Sequence, residues 1–157
     1  MLSVHRDRAI AVQLHLLRSQ ADTPKVTPMG KNRMQSPPWL RRKTKQGFRG
    51  YPVATIAFYG PTASVATKVV VSIVQKEGQE PEPLERWFSD ATDVRDDSAI
   101  SAKIVAFIKE HGARSVIATD DLIGCPHEEG IDYPEGKSCP QCPYWAGRDR
   151  FTRERIH

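Results

Sequence analysis

The last third of the chain sets Cys125-Pro126-His127 and Cys139-Pro140-Gln141-Cys142 within eighteen residues, and these two short motifs hold all three cysteines of the sequence. Three thiolates and one imidazole complete a tetrahedron, so sulfur and nitrogen ligands this close together constrain the chain to fold around one four-coordinate ion. A shell closed by four protein ligands leaves no place for water or substrate, which predicts a structural zinc rather than a catalytic one. An iron–sulfur cluster on the same ligands is the alternative that the spacing leaves open. The loop has few apolar side chains of its own, so its shape is expected to depend on the ion.

Three is an odd number of cysteines, and a disulfide framework would strand one thiol, whereas a Cys3His site uses them all. That points to a reducing compartment and a cytoplasmic protein. With 157 residues, 39% apolar and 27% charged, the expectation is one domain with tails. No apolar run approaches the roughly 20 residues that cross a bilayer, so no membrane partner is expected.

The net charge of +4 is unevenly distributed. Residues 1–51 carry 11 Lys+Arg against 2 Asp+Glu, residues 52–124 carry 7 against 11, and residues 125–157 carry 5 against 6. The basic character therefore belongs to a leader, assigned to residues 1–50. Its first twenty residues place Ile10, Leu14 and Leu17 at helical spacing, interrupted early by His5, Arg6, Asp7 and Arg8. It lacks the long apolar stretch and small-residue cleavage site of a secretory signal, it shares only an Arg-rich, acid-poor character with organellar presequences, and Met29 or Met34 offers an alternative start. From Ala21 to Gly50 the composition is rich in Pro, Gly, Lys and Arg and predicts disorder. The end of this tract reads in two ways. Arg41, Arg42, Lys43, Lys45 and Arg49 could meet phosphates while Trp39 and Phe48 stack on nucleic-acid bases, or the whole could be a solvated basic tail.

Residues 51–121 predict a small α+β core. Val53–Tyr59 is a β-branched and aromatic run stopped by Gly60-Pro61, and Thr67–Val74 follows closely enough to pair with it as an antiparallel hairpin. Leu84–Ser89 is short enough to be an edge strand or a single helical turn, and the strand is the favoured reading. A helix is expected from about Ser98 to His111, capped by Asp97 or Ser98, with Ile100, Ile104, Phe107 and Ile108 on one face and Gly112 as its stop. Arg114–Thr119 then reads as a buried strand. The order β-β-β-α-β predicts a mostly antiparallel sheet with one packed helix, followed by a metal-binding loop over residues 122–151 and a tail over 152–157.

That order over residues 52–121 resembles the front half of a ribonuclease H-like domain. The resemblance implies carboxylates in the first strand, in the helix and after the fourth strand. Asp120 matches the last position, and Glu110 falls too near the helix end for the second. Val53–Tyr59 has no acidic residue, so two-metal nuclease chemistry is not expected, and Asp120 and Asp121 read as turn residues.

Within the loop, Cys139-Pro140-Gln141-Cys142 resembles the turn of a zinc knuckle, with Pro143 removing an amide such turns often use. Cys125-x-His127 is tighter than usual ligand spacing, which makes a histidine merely hydrogen-bonded beside the site the alternative for His127. His127-x-Glu129 followed by Cys139-x-x-Cys142 resembles the zinc nucleobase deaminases, which would make Glu129 a proton shuttle. Ser138 replaces that family's proline, the gap is too short for the elements that separate its motifs, and Cys125 would occupy the water position. Glu128 and Glu129 instead read as solvated loop residues, dispensable for the metal. Trp145 and Phe151 are expected to cover the loop. The last third resembles the end of short uncharacterised bacterial proteins, a likeness that brings no function with it. The combined expectation is a zinc-stabilised binding or adaptor module, with a zinc hydrolase or deaminase-like enzyme using Glu128 or Glu129 as the alternative.

Overall fold

In the computed structural model, residues 36–149 and 152–156 are described; the helical pattern of residues 1–20 and the covering role expected of Phe151 lie outside them. In chain order the elements are helix α1 (Pro38–Thr44), strands β1 (Val53–Tyr59), β2 (Lys68–Val74) and β3 (Leu84–Phe88), helix α2 (Ser98–Glu110), strand β4 (Ser115–Ala118) and a 3-10 turn at Pro143–Trp145.

The β-branched residues of β1 and β2 favour extended backbone, and the two strands pair antiparallel from Val53 opposite Val74 to Tyr59 opposite Lys68. β3 adds antiparallel to β2. β4 adds parallel to β1, with Val53 opposite Ser115, giving the order β3-β2-β1-β4. A parallel neighbour requires a crossover, and α2 supplies it. The architecture is α+β, with antiparallel pairings in the majority, as the element order predicts.

Helix α2 starts where Asp97 accepts a hydrogen bond from the Ile100 amide at 2.9 Å and stops before Gly112, whose φ of 61° is a conformation that side chains disfavour. Its apolar stripe of Ile100, Ile104, Phe107 and Ile108 packs on Ala54, Ile56 and Phe58 of β1, on Val69, Val71 and Ile73 of β2, and on Val116. The alternate residues of β1 and β2 are buried too, with the Thr55 and Ser72 hydroxyls hydrogen-bonded at 2.6 Å. Ahead of α2, Asp93 takes the Ala66 amide and the Arg95 guanidinium, and Arg95 donates onward to the Ser64 carbonyl at 3.2 Å. This tie fixes the loop after β3 to the β1–β2 connection.

Composition placed the segment before β1 wholly in a disordered leader, and the structure differs there. Leu40 of α1 is 1% exposed and belongs to the core cluster, with Trp39 packed against it. The Arg49 amide donates to Ser115 Oγ at 2.8 Å, and that hydroxyl donates to the Gly50 carbonyl at 2.7 Å. The physical reason is local. Pro38 presets the first helical turn, and that turn aims one leucine inward against β4, a contribution that averaged composition does not register.

Leu40→Ala should therefore cost about 2–5 kcal/mol in urea unfolding; a change near zero would return this segment to the status of a tail. Asp93 gives a pH-dependent outcome. Burial alone would raise its pKa, but hydrogen bonds from Arg95 and the Ala66 amide outweigh this and hold it below the ordinary 3.8. Its stabilisation is thus present above that value and lost as pH falls through the lower, folded value. Asp93→Asn should destabilise the protein at neutral pH and flatten the acid limb of stability against pH.

Candidate metal centre

The site is built where β1 ends. Gly60 follows β1 at a crowded point: a Cβ there would lie 1.9 Å from the Val65 carbonyl oxygen and 2.6 Å from Leu122 Cδ2, so only glycine fits. Beyond β4 the chain stays alongside β1, with Thr119 N donating to Ile56 O, Ile123 N to Phe58 O and Gly60 N to Gly124 O at 2.9–3.0 Å. This delivers Cys125 to the end of the sheet. The far side of the loop returns to the same point, because Trp145 Nε1 donates to the Gly60 carbonyl at 2.8 Å. Between these anchors, Tyr133, Cys139 and Cys142 form a small buried cluster lined by Cys125 and Trp145.

All four predicted ligands come together. His127 Nδ1 lies 3.2 Å from Cys125 Sγ, 3.5 Å from Cys139 Sγ and 3.4 Å from Cys142 Sγ, and the four ligand atoms are all within 4.8 Å of one another. An ion about 2.3 Å from sulfur and about 2.0 Å from nitrogen in a tetrahedron sets those atoms about 3.5 Å apart, so the observed edges fit one ion at the centre. His127 Nδ1 thus lies where it could share an ion with all three sulfurs. The three cysteines are free thiols. Burial first, and the adjoining sulfurs with it, push the Cys125 thiol far up; burial and the nearby Cys139 raise Cys142 against a lowering contact from Cys125. Three crowded sulfurs ionise together only where a cation offsets their charge, which is what a divalent ion supplies.

The loop around the ligands is held by groups the sequence reading passed over. Lys68, at the start of β2, has a side chain 5% exposed; it donates to the Pro126 carbonyl at 3.0 Å and to Glu128 Oε1 at 2.9 Å. Arg86 of β3 donates to the same carboxylate oxygen at 2.8 Å. Glu128 is therefore a bridge between two strands and the Cys-Pro-His turn, and the expectation that it is solvated is corrected: two cations draw a loop carboxylate onto the sheet edge. Glu129 accepts from the Gly136 amide at 2.5 Å, shaping the loop from within. The signal for Lys68 was present, a lysine at the head of a strand whose other residues are valine, isoleucine and one serine. Its partner 60 residues away was not readable.

A cavity of about 290 Å³ opens beside the centre, lined by Thr67, Lys68, Phe88, Asp90, Pro126, His127, Glu128 and Asp132. The carboxylates raised by the ribonuclease H-like resemblance do not gather: Glu110 and Asp120 are both exposed, Asp121 pairs with Arg153 at 3.0 Å, and the Cys/His set is the single group of three or more potential ligands among the described residues. Of the aromatic and basic residues assigned to nucleic acid, Trp39 is half-buried against the core, whereas Arg41, Arg42, Lys43, Lys45, Phe48 and Arg49 are exposed. No helix among the described residues is long and apolar enough to cross a membrane. Comparison with protein-family models, curated proteins and solved structures returned no match.

The bridging geometry separates the two glutamates experimentally. Glu128→Gln leaves Lys68 and Arg86 facing a neutral amide and should cost about 1–3 kcal/mol, read as a lower unfolding midpoint. Glu129→Gln, which keeps an oxygen acceptor for the Gly136 amide, should cost well under half as much.

Proposed function

We propose that this protein is a small binding module whose C-terminal loop is stapled by one structural zinc ion on Cys125, His127, Cys139 and Cys142. The observation that carries the reading is the placement of His127 Nδ1 within 3.2–3.5 Å of all three sulfurs. Zinc suits this donor set because it takes thiolate and imidazole in a tetrahedron without a further geometric demand. The compact ligand set also speaks for a single ion over an iron–sulfur cluster, whose bridging sulfides would spread the cysteines apart. Bound there, the ion supplies a cross-link and the positive charge that lets the thiols ionise. The residues supply the rest: Gly60 and Trp145 close the loop on the sheet, and Lys68 holds the Cys-Pro-His turn.

The alternative, a zinc hydrolase or deaminase-like enzyme, draws its support from the cavity beside His127. Against it, four protein ligands leave no position for a reacting water, and Glu128 and Glu129 are engaged with Lys68, Arg86 and Gly136 rather than directed at the ion position.

Protein purified without added metal should contain close to one zinc per chain, and cobalt exchanged into the site should show the intense visible absorption of a tetrahedral thiolate complex. Cys142→Ser should drop the zinc content well below stoichiometry, and chelation should lower hydrogen-exchange protection over residues 122–149 before the sheet. Zinc-free protein whose melting temperature is unchanged by chelator would overturn the proposal.

A further inference from the structure

The basic segment ahead of β1 has a defined place in the fold. The Arg49 amide and the Gly50 carbonyl are both bonded to Ser115 Oγ, and Leu40 is anchored in the core, so the backbone that carries Arg41, Arg42, Lys43, Lys45 and Arg49 is tied down at both ends. All five side chains are exposed. No acidic residue occurs from 36 to 51, and among the described residues no carboxylate pairs with Arg42, Lys43, Lys45 or Arg49. The guanidinium of Arg114, from the turn before β4, lies beside Gly50 and adds a sixth cation. Amid them Phe48 is 65% exposed, its ring set edge-on against Tyr51 at 5.5 Å.

We propose that α1 and the turn after it form a surface for single-stranded nucleic acid, in which these cations follow the phosphates and Phe48 stacks on an unpaired base. A fixed cluster of cations suits the dense charge of a polynucleotide, and an aromatic face among them adds base stacking that a duplex, with its bases already stacked, does not offer. An anionic membrane would attract the same charge, but it also rewards an apolar helix face that inserts. Here the apolar residues of α1, Trp39 and Leu40, are turned to the core. The surface adjoins the starts of β1 and β4, whereas the metal centre adjoins the end of β1, so the proposal does not rest on the zinc reading.

The test is fluorescence anisotropy of the full chain with a labelled oligodeoxythymidine, a mixed-sequence single strand and a duplex of equal length. Five phosphate contacts, from Arg42, Lys43, Lys45, Arg49 and Arg114, predict that single-strand affinity falls roughly 100-fold between about 50 and about 200 mM salt. Replacing Arg42, Lys43 and Lys45 with Gln should weaken binding at least about tenfold at low salt, with circular dichroism and melting temperature unchanged. Lys45→Gln with Arg49→Gln, outside the helix, provides the same test should the first variant fold poorly. Phe48→Ala should weaken the single strand roughly tenfold and leave the duplex unaffected. Absence of binding at low salt overturns the proposal, as does unchanged binding by both folded charge variants, which would move the activity to the cations of residues 1–35. Equal loss on single strand and duplex with Phe48→Ala, or tighter binding to phosphatidylserine vesicles than to the oligonucleotide, also overturns it.

Discussion

At Gly60 the sheet, the incoming side of the ligand loop and its returning side meet in one peptide. Its amide takes the Gly124 carbonyl, its carbonyl takes the Trp145 indole, and the space a side chain would need is filled by the Val65 backbone and Leu122. The ligands come from two arms of a loop with little apolar surface, so their mutual distances depend on both arms being referred to one rigid point. β1 provides that rigidity, since it is paired on both sides and covered by α2. The four-ligand cluster is in this sense an extension of the central strand.

Charge completes what the backbone begins. Lys68 is buried, and a buried ammonium is tolerated only when its protons are used. The Pro126 carbonyl and Glu128 use them, and Arg86 shares the carboxylate. Because Pro126 lies between Cys125 and His127, the hydrogen bond to its carbonyl also limits how far those two ligands can move apart. Outer contacts of this kind orient metal ligands generally. In this chain they come from strands that hold no ligand themselves, which couples the loop to the β2–β3 edge of the sheet.

The same economy explains why a loop this polar accompanies so small a core. A four-stranded sheet with one long helix buries a limited apolar area, and the described part of the loop adds Leu122 and Ile123 at its start and then little beyond Tyr133, Cys139, Cys142 and the partly buried Cys125 and Trp145. The ion proposed for the Cys/His cluster would replace, by drawing four side chains together, apolar contacts that the loop lacks. At the other end of β1 the fold uses Leu40 and the two hydrogen bonds of Ser115 instead, and it leaves the cations of that segment facing outward.

The sequence by itself determined whatever depends on neighbours along the chain. β-branched runs defined β1 and β2, and helical spacing with Asp97 and Gly112 at its ends defined α2. The Cys-x-His and Cys-x-x-Cys pairs identified a ligand set whose members the fold brings together, since short-range spacing alone limits how such side chains can meet. Only the tertiary structure decided what rests on distant partners. That β4 lies parallel to β1, that Leu40 leaves a charged tract for the core, that Trp39 turns inward while Phe48 stays out, and that Glu128 is clamped by Lys68 and Arg86 are all settled by contacts between residues far apart in the chain. Local pattern carries no information about such contacts, because one leucine among arginines or one glutamate in a glycine-bounded loop has the same local appearance whether it is solvated or buried.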